Sequence, residues 1–219
     1  LYRNDPGPGG TGSGLLVDTG VALVGVEEGE VAWGDYDGDG DPDLALSGNA
    51  AQGLVTRVYR NDGGPAGSTF VEAQALGGVL GGSLSWGDYD GDGDLDLLVS
   101  GGVLDPGLLR GVTRVYRNTG GQFAPVELDV PGTLGTSAWG DYDADGDLDL
   151  LIAGPSDALA QPFVSVYTNQ EGAFERLLIA TGVGLGTTLW YDSNADGLLD
   201  ILTMGQGGGT FLLNVTLLY

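Results

Sequence analysis

The stretch "WGDYDGDGDPDLALSG", residues 33–48, sets five aspartates within nine residues, and near copies follow at 86–101 ("WGDYDGDGDLDLLVSG") and 139–154 ("WGDYDADGDLDLLIAG"). Carboxylates so crowded repel one another and lose hydration when a loop closes around them, so the arrangement calls for a counter-charge. A bound cation is the simplest. Aspartates at relative positions 1, 3, 5 and 9, with glycine at 6 to permit a sharp turn, converge their oxygens on one point. In the first copy these are Asp35, Asp37, Asp39, Gly40 and Asp43. Position 7, Asp41, is expected to contribute its main-chain carbonyl while its side chain faces water. An all-oxygen shell selects a hard ion, and calcium is favoured over magnesium because it accepts many ligands in flexible geometry. No Glu stands at position 12, which is Leu46, Val99, Ile152 or Thr203, so these are not EF-hand loops.

The rest of the 219 residues narrows the chemistry. A hydrophobic content of 42% is enough for a core, within the range of one all-β domain. The formal charge is −24, and the acidic loops hold 18 of the 31 acidic residues. Four bound Ca²⁺ would still leave a negative surface, which argues against nucleic acid or an anionic membrane as partner. Histidine, cysteine and lysine are all absent, removing imidazole and thiol catalysis, disulfides and zinc sites built on those ligands. No apolar run reaches membrane-spanning length, so no membrane insertion is expected. No signal peptide is visible, and an opening at Leu1 reads as a processed or excerpted chain.

The four tryptophans, Trp33, Trp86, Trp139 and Trp190, recur at a near-constant interval and define a repeat. The fourth copy, "WYDSNADGLLDILTMG", keeps Asp192, Asn194, Asp196, Gly197 and Asp200, with Leu198 at position 7, where only a carbonyl is required. A second word, "YRN" at Tyr2, Tyr59 and Tyr116 and "YTN" at Tyr167, with "LLN" at Leu212 as its last form, sits in β-favouring sequence before a glycine-rich turn. After each acidic loop comes a short apolar run ending at glycine, the pattern of a strand buried on both faces. Each period thus reads as a tryptophan strand, an acidic loop, a buried strand, a variable connection, the Tyr-Arg-Asn strand, a turn and an outer strand exposed on one side. The fold class is all-β: a β-propeller of four-stranded antiparallel blades. A partial blade spans 1–28, with repeats at about 29–81, 82–134, 135–185 and 186–219. One tryptophan per blade at a fixed offset is read as packing. The arginines of the Tyr-Arg-Asn strand are read as partners of loop aspartates or of a neighbouring blade.

"GDYDGDGDLDLLVSG", with "VYRN" some two dozen residues later, resembles the integrin-type FG-GAP or VCBS repeat over almost the whole chain. The FG and GAP words themselves are replaced by "AWGD" or "SWGD" and by "SGN", "SGG" and "AGP". In that family the loop joins the first two strands of a blade and binds calcium. The resemblance extends the ligand set to Asp88, Asp90, Asp92, Asp94 and Asp96, and to Asp141, Asp143, Asp145, Asp147 and Asp149, with about four Ca²⁺ in all. Propellers of the family usually close with more blades than the four loops here provide.

The function expected is a calcium-stabilised, non-enzymatic adhesion or binding module for a protein or glycan. Its place is extracellular or at a cell surface, where calcium is abundant enough for weak loops. One alternative is a structural subunit of a surface assembly or filament, pairing with copies of itself through incomplete blades. Another is the propeller scaffold of a polysaccharide-active enzyme, but every crowded carboxylate is already assigned to a metal loop and no separate acid and base stand out. The sequon Asn214-Val215-Thr216 adds a candidate glycosylation site.

Overall fold

The computed structural model describes residues 1–5, 15–63, 69–157, 161–170, 172–181, 184, 186–205 and 214–216. All regular structure among them is β, in five antiparallel sheets. The first complete sheet runs β3 (Glu27–Gly34), β4 (Asp43–Ala50), β5 (Gly53–Asn61), β6 (Phe70–Leu76). The second runs β7 (Leu80–Gly87), β8 (Asp96–Asp105), β9 (Leu108–Thr119), β10 (Gln122–Val126). The third comprises β11 (Thr136–Gly140), β12 (Asp149–Gly154), β13 (Phe163–Gln170) and β14 (Ala173–Thr181). Each is a simple meander, first strand to fourth. Three strands form the fourth sheet, β15 (Gly186–Tyr191), β16 (Asp200–Gly205) and β17 (Asn214–Thr216). Ahead of all these, β1 (Tyr2–Asp5) pairs only with β2 (Leu15–Asp18). The "LLN" word at Leu212 lies outside the described residues.

The expected internal order of a repeat is therefore what forms. Each tryptophan strand leads into an acidic loop, and the apolar run behind that loop becomes the second strand, buried along most of its length in the first three sheets and alternately buried in β16. The fourth strand of the first sheet is largely exposed. Two supposed variable connections are regular. "NAAQGLV" is a tight hairpin in which Ala50 pairs with Gly53, and "GVLDPGLLRG" continues the β8–β9 ladder out to Asp105 opposite Leu108. Ladder hydrogen bonds thus extend the sheet through these connections.

Successive sheets stack through their first strands, β3 beside β7, β7 beside β11 and β11 beside β15. One core lies between the first two sheets, around Ala45, Val58, Leu97, Val99 and Tyr36. The next, between the second and third, gathers Leu98, Val115, Leu150, Ile152 and Phe163. Leu151, Ala153 and Val166 meet Ile201 and Trp190 between the third and fourth. Alternate residues of one buried strand thus feed two different cores, which is why these strands read as unbroken apolar runs rather than alternating ones. Among the described residues, no strand of the fourth sheet packs substantially against β1–β6, and the row of blades does not close into a ring.

The tryptophans are the joints of the row. Trp86 stacks on Tyr36 of the preceding blade with ring centroids 6.0 Å apart, Trp139 on Tyr89 at 5.9 Å, and Trp190 lies tilted against Tyr142 at 5.6 Å. Each also covers the glycine that follows the preceding tryptophan: a Cβ on Gly34 would lie 2.7 Å from the Trp86 ring, and one on Gly87 2.7 Å from Trp139 and from Leu148. Gly87→Ala is accordingly expected to cost about 1–3 kcal/mol through overpacking of this joint, measured by chemical denaturation.

Candidate metal centre

Each acidic loop leaves the first strand of its blade and is drawn tight by two left-handed residues, at positions 4 and 6. Their φ values are +72° and +91° at Gly38 and Gly40, and +70° and +95° at Gly91 and Gly93. The third and fourth loops place alanine at position 4, Ala144 (+59°) and Ala195 (+61°), ahead of Gly146 and Gly197. The turn points main-chain N–H groups inward, onto the carboxylate at position 1. Asp35 accepts from Asp39 N at 3.1 Å and Gly40 N at 3.0 Å, Asp88 from Asp92 N at 3.1 Å and Gly93 N at 3.0 Å, and Asp192 from Asp196 N at 3.2 Å and Gly197 N at 3.0 Å. The carboxylate at position 5 accepts from the N–H at position 7 in all four loops, at 2.8–3.0 Å.

Position 9 is built differently. Asp43, Asp96 and Asp149 are fully buried, and both oxygens of each accept main-chain N–H groups. One oxygen of Asp96 takes Tyr89 N of its own loop at 3.1 Å, and the other takes Asn118 N of the Tyr-Arg-Asn strand at 2.7 Å. Asp43 does the same with Tyr36 N (3.0 Å) and Asn61 N (2.7 Å), and Asp149 with Tyr142 N (2.7 Å) and Asn169 N (2.8 Å). This residue clamps the start of the loop to the third strand.

Carboxylate oxygens converge in three loops. Those of Asp35, Asp37 and Asp39 lie within 4.8 Å of one another, as do those of Asp88, Asp90 and Asp96 and those of Asp141, Asp143 and Asp149. In the fourth loop Asp192, Asp196 and Asp200 make no such group, and Asn194 turns its amide onto Asp196 at 2.9 Å. The position 7 side chains add to an expectation. Asp94, half-exposed to water, also accepts Gly120 N at 2.9 Å and so holds the β9–β10 turn. Asp41 likewise abuts Gly63 of the β5–β6 connection, since a Cβ there would fall 2.0 Å from its carboxylate. Asp147 and Leu198 donate their N–H groups within the loop.

A family model described as FG-GAP-like repeat matches residues 35–99 and 141–203, more than half of the chain. The chain belongs to the FG-GAP-like repeat family. No curated protein matches it. Each matched segment opens at position 1 of an acidic loop and ends inside the second strand of the next repeat, so the family's defining sequence spans the loop-to-loop unit described above.

The oxygens of these FG-GAP-like loops fit a cation. Oδ1 of Asp90 and Oδ1 of Asp141, each in a converged group, are buried without any hydrogen-bond donor. An orphaned carboxylate oxygen is costly to bury, and a hard cation is the partner that satisfies several at once. Burial, with Asp92 adding to it, raises the Asp90 carboxyl above the usual carboxylate range, and burial followed by Asp39 does the same for Asp37. Asp92 goes the other way, held low by the Asp94 N–H and by Arg117. Arg117 bridges Asp90 (2.7 Å) and Asp92 (3.2 Å), as expected of the Tyr-Arg-Asn arginines, whereas Arg60 pairs with Asp62 and Arg57 with Glu72 of the adjacent strand. Those partners leave loop 2 with a fixed positive charge that loop 3, with Thr168 in the equivalent place, does not carry. Arg117→Thr is expected to raise the cation affinity of loop 2 severalfold, read by titration calorimetry.

Burial pushes the Asp96 carboxyl up to about 6, and Asp43 and Asp149 are raised for the same reason. A folded-state value above the unfolded one of about 3.9 means protons bind the folded state more tightly. Without metal, this contribution to stability is complete below the unfolded value and is lost as pH rises through about 6. The metal-free protein is therefore expected to resist urea better at pH 5 than at pH 7. A bound cation requires ionised carboxylates, so the loaded protein is expected to show the opposite sign.

Three residues escaped notice in the sequence. Asn61, Asn118 and Asn169 end the "YRN" and "YTN" words and are buried, and Asn118 and Asn169 tie consecutive loops together. The Asn118 side-chain amide donates to Leu95 O of its own loop at 3.1 Å and to Tyr36 O of the preceding loop at 2.8 Å, and Asn169 repeats this with Leu148 O (3.1 Å) and Tyr89 O (2.7 Å). The available signal was that asparagine persists in "YTN" where arginine does not.

Proposed function

We propose that this chain is a calcium-stabilised β-propeller-type module of an extracellular or cell-surface protein, one that binds a protein or glycan without chemically altering it. The observation that carries the metal is the pair of buried, donorless oxygens on Asp90 and Asp141 within converged carboxylate groups. Calcium suits such a shell, at up to four ions through Asp35, Asp37, Asp39, Asp43 and their counterparts with the position 7 carbonyls, and millimolar extracellular calcium suits loops of modest affinity. A structural role for the ion is supported by the loop's own hydrogen bonds, in which main-chain N–H groups hold the carboxylates at positions 1 and 5 in place. Reactive chemistry has little to draw on, since histidine, cysteine and lysine are absent and the buried carboxylates are spoken for. For binding, the extended β8–β9 hairpin offers an apolar tip, with Leu104, Leu108 and Leu109 exposed beside the Arg110–Asp105 ion pair.

The test is calorimetric titration of chelator-stripped protein with Ca²⁺ and with Mg²⁺, alongside Asp90→Asn and Asp141→Asn. Calcium is expected to bind more tightly, and each variant to weaken one site by about tenfold or more. Equal binding of both ions, or none, sinks the calcium reading, and cleavage of any member of a polysaccharide panel sinks the non-enzymatic one.

A further inference from the structure

Two devices close the outer cleft between the first and second sheets, and the cleft between the second and third has neither. In the first cleft the Gln74 carboxamide of β6 grips the main chain of Phe123 on β10, donating to its C=O at 2.7 Å and accepting its N–H at 3.0 Å. Those groups are free to be gripped because Asn118, opposite Phe123, spends its own N–H on Asp96, which leaves Phe123 turned outward from the sheet. The register repeats this in the third sheet. Asn169, opposite Phe174, gives its N–H to Asp149, so Phe174 presents the same outward N–H and C=O. Where Gln74 stands opposite Val58, the second sheet has Val126 opposite Val115, a side chain with neither donor nor acceptor.

The second device is a tyrosine. Tyr59 accepts Val24 N at 3.2 Å and Tyr116 accepts Gly77 N at 3.0 Å, so each hydroxyl pins the linker that enters its own blade. Tyr167, their counterpart in the third blade, holds no linker N–H among the described residues, and its hydroxyl lies against Ser165 and Arg176 instead. The β10–β11 linker passes it as Asp129–Pro131, where the proline has no N–H to give. A cavity of about 700 Å³ opens between Asp129–Pro131 on one side and Tyr167 with Phe174–Arg176 on the other. That is the size of a ligand pocket.

We infer that this cleft seats the carboxamide of a glutamine or asparagine from a neutral or basic segment of a partner protein, in the place that Gln74 fills in the first cleft. The first cleft displays the complementary chemistry, since one side chain with a donor and an acceptor on the same edge satisfies both main-chain groups at once. Charge selects what surrounds that side chain. Asp129 and Glu175 stand exposed at the mouth against Arg176 alone, on a chain of formal charge −24, so an acidic segment is repelled and a basic one drawn in. Addition of a whole strand along β14 is interrupted by the register shift that leaves Leu177 out of the ladder, so Phe174 is a single grip rather than the start of a longer pairing. The inference rests on the binding reading above, for which it names a place and a partner chemistry, and it is independent of calcium.

The test is a titration of the isotope-labelled chain in calcium, with every amide followed by NMR. The probes are the peptide Ser-Arg-Gln-Arg-Ser, the same peptide with glutamate at its centre, and cellobiose as a neutral sugar. The glutamine peptide is expected to shift the Phe174 amide saturably, and the glutamate peptide to bind about tenfold more weakly or less. Val126→Gln, which supplies the missing clamp from within, is expected to cut the affinity for the glutamine peptide by about tenfold. Glu175→Arg, an exposed change that places a like charge at the mouth, is expected to weaken it severalfold. A Phe174 response that is equal for both peptides, or that survives both substitutions, overturns the inference. So does a response to cellobiose alone, which gives the cleft to a sugar, or self-association of the chain that Val126→Gln abolishes, which gives it to a second copy. Shifts confined to the β8–β9 tip overturn this site but leave the binding reading standing. No shift at any amide overturns the inference and leaves the wider reading to that tip.

Discussion

Chelation of calcium is expected to lower the thermal unfolding midpoint by on the order of 10–20 °C, and added calcium is expected to restore it further than magnesium does. With a loop affinity of about 0.1 mM and calcium near 1 mM, each occupied loop stabilises the fold by about 1.4 kcal/mol. Four independent loops give about 6 kcal/mol, and a chain of this size shifts by roughly 2–4 °C per kcal/mol. The loops will not contribute equally. Three bring carboxylates together closely enough to share an ion, whereas the fourth has Asn194 in place of a carboxylate and an Asp200 held low by the Ser193 hydroxyl and N–H rather than raised by burial. The larger share of the shift should therefore come from loops one to three, and Asp192→Asn should lower the midpoint less than Asp141→Asn. Calorimetric scans with excess EGTA, then with either ion restored, measure this. An unchanged melting curve after chelation refutes a structural role for calcium.

What could be read from the residues was what is local. The period of the tryptophans, the buried runs after each loop and the glycine at position 6 each report on a few neighbouring residues, and the strand order followed from them. The convergence of carboxylates in the first three loops was legible for the same reason, because the converging residues lie in one loop. Contacts made across blades left no local trace. Asn118 reaches Tyr36 across 82 residues, and nothing in "YRN" separates an asparagine that caps a turn from one that joins two loops. The position 9 aspartate was read as a metal ligand from its spacing, but its double acceptance of N–H groups depends on the third strand, which spacing does not place. The exposed Trp33 is followed by the same residues, Gly-Asp-Tyr-Asp, as Trp86 and Trp139. Its exposure is a property of what stands beside its blade, not of its own repeat. The β8–β9 hairpin was hidden differently, because the segment between the buried strand and the Tyr-Arg-Asn strand was read only as a variable connection, whereas Pro106 and Gly107 form a two-residue tip and the rest is ladder.

Asn118→Ala is expected to destabilise the protein by about 3–5 kcal/mol, more than a typical surface or loop substitution. The side chain is fully buried and makes three hydrogen bonds: its amide donates to Tyr36 O and Leu95 O, and its oxygen accepts Gly121 N at 2.8 Å. Alanine removes all three and leaves buried main-chain groups without partners, each costing about 1–3 kcal/mol, while the main-chain bond to Asp96 survives. Asn61→Ala separates the terms. Asn61 occupies the same place in the first complete blade, bonding Pro42 O at 3.0 Å and accepting Gly63 N at 3.2 Å, but among the described residues it holds no carbonyl of a preceding loop. Its loss should be milder by about 1–2 kcal/mol, the net worth of one buried bond between blades. Urea unfolding of the two variants in calcium gives the comparison directly. Equal costs would mean that the Asn118–Tyr36 bond contributes nothing to the joint, and that the apolar core between the first two sheets, with Trp86 stacked on Tyr36, holds these blades together.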